Sequence, residues 1–309
     1  MLVSLIISAY NEENGIKSFF VETLKHIQIK GYEFQFVFVD DGSIDNTVNI
    51  IRDIKKEYEN TPYIKEIKLI HLSRNFGHEA AMLAGLDVAS GDYLVFMDAD
   101  LQHPPEKIAD IMTSFENKSN IVMMKRVENK GAGVFKNLTS KMFYAILNGC
   151  SNTKFEANAS DFFAVDARVA NFLRENYREK VRFLRGIIQN IGFNVAKIEY
   201  VASERVAGHS HYNFRNLLRL SMNSIFSFSN LPLKLGGLAG GISVMLGIIL
   251  LVYTLCTGDG APSGYSTIVI TLCFMFSILF FIVGVIGEYI GILFTEIKGR
   301  PIYIIKEIE

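Results

Sequence analysis

The chain has 309 residues, half of them hydrophobic, no tryptophan and a formal net charge of -1. That length holds one large domain or two modest ones with a sizeable core, and the near-neutral charge excludes the broad basic surface that a nucleic-acid partner requires. Cys150, Cys256 and Cys273 are far apart and the last two sit in apolar runs, which excludes a disulfide framework or a zinc site and fits a reducing cytoplasm.

Met1 to Ala9 is apolar but lacks a basic start and is too short for a signal peptide or a span, so it reads as a buried strand. From there to about Lys125, runs rich in β-branched and aromatic residues alternate with stretches of helical length. Strands are predicted at Val3–Ser8, Phe34–Val39, Lys65–His71, Tyr93–Met97 and Asn120–Met124. Helices are predicted at Glu13–Lys30, Asp45–Glu59, Phe76–Ala89 and Pro104–Glu116. Such alternation implies an α/β fold, a mostly parallel sheet with helices on both faces. Lys125-Arg126 closes the fifth strand, and Glu128 to Phe135 contains Gly131-Ala132-Gly133, the composition of a loop.

The cytoplasmic domain is expected to occupy residues 1–212. Residues 213–234 mix Arg215 and Arg219 with Phe214, Leu217, Leu218, Met222, Ile225 and Phe226, which suits an amphipathic helix lying in a membrane interface; the alternative is a helix packed into the soluble core. Between Leu235 and Gly287 the only charged residue is Asp259. Residues 235–256 would make a helix of about 33 Å, long enough to cross a hydrocarbon core of about 30 Å, and 267–287 repeat the pattern, so 235–287 is predicted to be a transmembrane hairpin. Lys234 precedes it and Lys298, Arg300 and Lys306 follow it, placing both flanks in the cytoplasm. Gly237-x-x-x-Gly241 permits close helix contact, within the chain or in a homo-oligomer. Within the cytoplasmic tail, 288–309, the Ile and Tyr content of the final segment Lys298 to Glu309 suggests that it folds back onto the soluble domain.

In open α/β sheets ligands bind beyond the carboxyl ends of the strands. Three predicted strands end in acidic or polar clusters: Tyr10-Asn11-Glu12-Glu13, Asp40-Asp41-Gly42-Ser43 and Asp98-Ala99-Asp100-Leu101-Gln102. Carboxylates gathered there repel one another unless a cation joins them. An Asp-x-Asp pair alone is a weak signal, since turns favour Asp. Here it follows an apolar strand and precedes Pro104-Pro105-Glu106, a helix start. Oxygen ligands favour Mg2+ or Mn2+, whose coordination is shared with substrate phosphates. Asp45 and Thr47 read as caps for the following helix.

Together, Tyr10-Asn11-Glu12-Glu13, Val39-Asp40-Asp41-Gly42-Ser43-x-Asp45-x-Thr47, Asn75-x-Gly77-x-x-Ala80 with Gly85 and Gly91-Asp92, and Met97-Asp98-Ala99-Asp100-x-Gln102-x-Pro104-Pro105-Glu106 resemble glycosyltransferase family 2, and within it the polyprenyl-phosphate branch. The resemblance implies a GT-A type nucleotide-sugar-binding domain on the cytoplasmic face of the inner membrane. The implied reaction is a metal-dependent, inverting transfer of a hexose, best matched by UDP-glucose, to undecaprenyl phosphate, for modification of a cell-envelope glycan such as the lipopolysaccharide O-antigen. N-acetylhexosamine, galactose, mannose or an aminoarabinose derivative would use much the same motifs, and a non-catalytic membrane subunit would keep the fold. The absence of tryptophan removes the Gln/Arg-x-x-Arg-Trp element of processive polysaccharide synthases.

Carried over by residue, the resemblance places Tyr10, Glu12, Asp40 and Asp41 in the nucleoside pocket, where an aromatic face stacks on a base and a carboxylate accepts its imide N–H. It makes Asp100 and Gln102 metal ligands and shares Asp98 between the ribose or phosphate surroundings and the metal. Arg205 and Ser210, in Arg205-Val206-Ala207-Gly208-His209-Ser210-His211-Tyr212, would clamp the donor diphosphate, with His211 standing where lysine is usual. Lys125 and Arg126, with Lys136 and Lys141, would neutralise the acceptor phosphate. Asp161 matches a base or aligning carboxylate; a phosphate monoester, with its second pKa of about 6, is largely ionised at neutral pH and does not strictly require a base.

Overall fold

The computed structural model describes residues 1–58, 60–127, 159–180, 184–201, 231–257 and 264–309. Arg205, Ser210, His211, the glycine loop from Glu128, Lys136, Lys141 and residues 213–230 of the expected interfacial helix lie outside the described residues. The chain divides into two compact units, with Arg300–Glu309 belonging to the first.

In the first unit the described strands and helices are, in chain order, β1 (Leu2–Ala9), α1 (Ile16–His26), β2 (Glu33–Asp40), α2 (Thr47–Tyr58), β3 (Ile64–Leu72), α3 (His78–Val88), β4 (Tyr93–Asp98), a 3-10 turn at Pro105–Lys107 leading into α4 (Ile108–Glu116), β5 (Ile121–Arg126), β6 (Ala159–Asp166), α5 (Ala167–Asn176), α6 (Leu184–Asn190) and β7 (Val195–Tyr200). The final strand β8 (Ile305–Ile308) also belongs to it. The strands form one sheet in the order β7-β5-β6-β4-β1-β2-β3-β8.

The five strands and four helices expected before Lys125 are all present. The sheet is mostly parallel, as expected, but mixed: six of its eight strands share one direction and β6 and β8 oppose them. β4, β1, β2 and β3 run parallel, as do β5 and β7, but β6 enters antiparallel between β4 and β5, and β8 is antiparallel to β3. The insertion is held by apolar contact: Phe96 of β4 stacks on Phe163 of β6 with ring centroids 4.4 Å apart. Because β6 runs backwards, its first residues lie at the same edge of the sheet as the last residues of β1, β2 and β4.

The central strands are buried on both faces, which is why their sequences read as continuous apolar runs rather than alternating ones. On one face Phe20 of α1 meets Phe36 edge-on at 4.9 Å. On the other, α3 is buried along nearly its whole length and shows little amphipathic pattern. Gly85 gives it that approach: a Cβ there would sit 2.3 Å from Ile6 Cγ2. Gln35 is buried in β2, yet it accepts from Ser4 Oγ at 2.6 Å and donates to Glu66 at 2.8 Å, so its amide is not left unpaired.

The edge at β3 is covered by β8, as the apolar tail suggested. Leu69 and Glu309 exchange backbone hydrogen bonds at 2.9 Å each, and Ser73 N–H donates to Ile304 O at 2.9 Å. Arg52 of α2 bonds Glu309 through Nε at 2.8 Å, and the Tyr303 hydroxyl bonds Asp87 of α3. Asp87 in turn takes a bidentate pair from Arg178, at 2.8 and 2.6 Å.

The second unit contains two long helices, α7 (Leu231–Thr257) and α8 (Gly264–Ile297). They pack together where α7 carries glycine: a Cβ on Gly236 would lie 3.4 Å from Ile282. Among the described residues one stretch of 24 residues, Phe274–Ile297, is long and apolar enough to cross a membrane, with mean hydropathy 2.2 over an 18-residue window; α7 contributes the shorter apolar run Leu238–Ile249. The apolar stretch thus extends ten residues beyond the predicted end of the second span at Gly287.

Candidate active site

The C-terminal edge of the parallel strands gathers most of the residues singled out from the sequence. After β1, Tyr10 is exposed and Asn11 turns the chain with φ of 55°. Asn11 is locked to the loop after β2: its N–H donates to Ser43 Oγ at 2.9 Å, and its side-chain oxygen accepts from Ile44 N–H at 2.9 Å. Asp45 accepts from Thr47 N–H at 3.0 Å at the start of α2, the predicted cap. Thr47 Oγ1 also takes the Glu12 amide at 2.8 Å, so the cap fastens the first loop to the second.

Asp40 and Asp41 do different work. Asp40 is fully buried, with Oδ2 2.6 Å from His71 Nδ1 and both oxygens accepting from Ser43 N–H at 3.2 Å. Asp41 is 3% exposed and accepts from the backbone amides of Phe76 at 2.7 Å and Gly77 at 2.8 Å. Burial pushes its pKa up, the two amide hydrogen bonds oppose that, and Asp40 beside it adds to the rise. Each Asp41 oxygen already holds one N–H, so a ligand at this carboxylate would use the remaining lone pairs. Gly42 completes the cradle with φ of 72°; a Cβ there would meet the Arg74 backbone at 2.5 Å.

The Asp41 contacts position α3, because Gly77 is its N-cap and His78 its first residue. The His78 ring lies among three side chains: Nδ1 is 2.9 Å from Ser8 Oγ and 3.5 Å from Asp98 Oδ1, and Nε2 is 3.9 Å from Asp161 Oδ2. Burial pushes the His78 pKa down, but Asp98, Asp161 and Glu79 together outweigh it and lift the imidazole above its usual value. For Asp98 the signs reverse. Burial raises it, while His78, His103 and the Ser8 hydroxyl, which donates at 3.2 Å, hold it below the ordinary carboxylate range.

His103, 5% exposed, braces the other side of the Asp98 turn. Its Nδ1 accepts the Asp98 amide at 2.9 Å, which in the neutral ring leaves the proton on Nε2, 3.1 Å from Ser160 Oγ. The Tyr200 hydroxyl donates to the same Ser160 oxygen at 2.7 Å. Beside Ser160, Asp161 Oδ1 lies 3.1 Å from Arg185 Nε on α6. Glu79, next to His78, accepts the Leu184 amide at 3.0 Å and so fastens the start of α6. Burial and the nearby Asp161 push the Glu79 carboxyl up.

Of the sequence candidates, Tyr10, Glu12, Asp40, Asp41, Asp98, Asp100, Gln102 and Asp161 therefore flank one edge of the sheet. Lys125 and Arg126 end β5 at that edge, and Lys125 pairs with Glu199 of β7 at 3.3 Å. Ser8, His78, His103, Ser160, Arg185 and Tyr200 were missed. His78 and His103 occupied variable positions inside recognised motifs, and Arg185 belongs to a short helix with no motif to mark it.

The donors expected for a divalent cation, Asp98, Asp100 and Gln102, are two carboxylates and one carboxamide within five residues. Leu101 has φ of 61°, and Asp100 Oδ1 accepts the Gln102 amide at 3.0 Å, which folds the three into one turn. No group of three or more His, Cys, Asp or Glu side chains among the described residues could hold a metal ion unaided. The donor set fits a hard cation that completes its shell with phosphate and water oxygens.

The sequence profile of Glycosyl transferase family 2 matches residues 4–174, more than half of the chain. This chain belongs to glycosyl transferase family 2. It is a glycosyltransferase with a GT-A-like α/β fold. The family 2 chain is 36% identical over 309 residues to the uncharacterized glycosyltransferase YkcC of Bacillus subtilis, covering 98% of this chain and 93% of that one. It is 35% identical to the SfII prophage-derived bactoprenol glucosyl transferase of Shigella flexneri, over 99% of this chain and 98% of the relative. The prophage bactoprenol glucosyl transferase homolog of Escherichia coli K12 is 34% identical, with both chains covered in full.

Proposed function

We propose that this family 2 glycosyltransferase moves glucose from UDP-glucose to undecaprenyl phosphate at the cytoplasmic face of the inner membrane, with inversion at the anomeric carbon. The observation that carries the reading is the meeting of Asp98 and Asp161 across one imidazole, at the edge where Tyr10 and Asp41 also emerge. Likeness over nearly full length to relatives named bactoprenol glucosyl transferase supports the acceptor. The apolar stretch Phe274–Ile297 supports a membrane-bound substrate.

In this reading Tyr10 stacks on the uracil, and Glu12, Asp40 and Asp41 shape the nucleoside pocket. Asp98, Asp100 and Gln102 hold Mg2+ or Mn2+, which when bound supplies positive charge for the departing diphosphate. Arg205, Ser210 and His211 bind the same diphosphate. An acceptor phosphate oxygen forms the new bond to the anomeric carbon as the bond to the diphosphate breaks, and the nucleoside diphosphate leaves with that electron pair. Asp161 aligns the acceptor or the sugar, and Lys125 and Arg126 offset the repulsion between the two phosphates. Both α7 and α8 cross the bilayer in this account, returning Lys298, Arg300 and Lys306 to the cytoplasmic side.

Calorimetry on the detergent-solubilised full chain tests the donor half directly. With Mn2+ present, UDP and UDP-glucose should bind and GDP-mannose should not; binding of GDP-mannose alone, or of UDP equally well in chelator, would contradict the assignment.

A further inference from the structure

His78 and Arg185 have no role in the reading above, yet both touch the carboxylate it places at the reacting end of the site. Their placement follows from two adjacent anchors. Asp41 holds the amides of Phe76 and Gly77 and thereby sets His78 at the start of α3. Glu79 accepts the amide of Leu184 and thereby sets Arg185 at the start of α6. The ring then spans from Ser8 and Asp98 on one side, at 2.9 and 3.5 Å from Nδ1, to Asp161 on the other, 3.9 Å from Nε2. Arg185 Nε closes on the opposite Asp161 oxygen at 3.1 Å.

We propose that His78 and Arg185 are positioning residues for the transfer step, holding Asp161 at a set distance from Asp98 by flanking its two oxygens with ion-pair contacts from the starts of α3 and α6. The inference rests on the proposed reaction and deepens it. Asp98 belongs to the donor side and Asp161 to the side where the new bond forms, so the ring between them sets how closely the two substrates are aligned. His78 Nε2 and Asp161 Oδ1 are both buried and make no hydrogen bond among the described residues beyond these ion-pair contacts at 3.9 and 3.1 Å. A buried polar atom without a hydrogen bond carries a desolvation cost that a bound substrate could relieve. The arrangement also explains why the nucleoside-pocket carboxylate Asp41 spends its two oxygens on backbone amides: they place the ring.

Two substitutions separate the ends of the imidazole. Asparagine places its amide near Nδ1 and does not reach Asp161, whereas glutamine extends toward Nε2. In sugar transfer by the full-length protein, His78→Asn should lower kcat by about 100-fold, the size of effect expected from misplacing a reacting group by about 1 Å. His78→Gln should recover about tenfold of that loss. Arg185→Gln should behave like His78→Asn, and Arg185→Lys should lie between. The donor KM and the UDP affinity measured by calorimetry should stay within about threefold throughout, since ground-state binding is not what these residues set. Turnover within about threefold of wild type in both His78 variants would overturn the inference while leaving the function standing, as would a loss of UDP affinity that matches the loss of kcat. Failure of the wild-type chain to transfer sugar from any donor would remove the proposed function, and this inference with it.

Discussion

At the residue scale, the turn after β4 concentrates what the reaction needs: Asp98 is braced from behind by Ser8, His78 and His103, and Asp100 folds the turn through the Gln102 amide. Asp100 lies in the turn beyond β4 rather than in a strand of the sheet, so Asp100→Ala should abolish metal-dependent turnover while the melting temperature moves by only a few degrees, equivalent to about 1 kcal/mol or less; retained turnover would remove Asp100 from the site. Gly42 is under a tighter constraint. With φ of 72° and the Arg74 backbone 2.5 Å from a Cβ position, Gly42→Ala should cost about 1–3 kcal/mol and weaken nucleotide binding, because the displaced loop between β3 and α3 carries the amides that hold Asp41. A melting curve and a UDP titration check both effects. The sequence disclosed the acidic and aromatic members of this site because their residue types are unusual at strand ends. It did not disclose His78, His103 or Arg185, since one imidazole or guanidinium looks like any other until the folded chain shows which carboxylate it faces.

At the scale of elements, the parallel strands were legible from their apolar runs and from the turn chemistry between them. β6 was not: Ala159–Asp166 follows a long connection, and nothing local to its sequence reveals that it runs backwards between β4 and β5. The same insertion brings Asp161 to the active edge. α3 makes a quantitative test of packing. Alanine at Gly85 would gain about 1 kcal/mol of helix propensity, but its Cβ would stand 2.3 Å from Ile6 and 3.1 Å from Val39, both fully buried. Overpacking by one methyl costs about 1–3 kcal/mol, so Gly85→Ala should lower the unfolding free energy in a denaturant titration; a neutral or stabilising result would show that the helix can shift freely.

The β8 edge titrates in a defined direction. Hydrogen bonding to Arg52 holds the Glu309 carboxyl below its ordinary value of 4.5. A depressed carboxylate contributes stability in full above that ordinary value and loses it as pH falls through the lower, folded one. The pair is partly exposed, with side-chain exposures of 37% for Arg52 and 27% for Glu309, so solvent screening keeps its contribution at or below about 1 kcal/mol. Arg52→Ala should therefore lower the melting temperature slightly at neutral pH, and the difference from wild type should fade under acid conditions below the carboxylate range. An effect that grows as the pH falls would contradict the sign.

Across the whole molecule, the family and a long apolar helix were both readable from the sequence, the latter because uncharged composition over that length has few other uses. Arginine in place of Ile286, inside Phe274–Ile297, carries an insertion penalty of about 2.5–3.5 kcal/mol near a helix centre and should release the protein from washed membranes or target it for degradation. Unchanged membrane retention would argue against that helix as a span. The central claim concerns the product. Full-length protein in vesicles containing undecaprenyl phosphate, given Mn2+ and UDP-glucose, should yield a lipid whose mass has risen by one hexose unit, and chelator should prevent it. UDP-glucose turned over with no hexose on the lipid, or no lipid product from any nucleotide-sugar, would contradict the account.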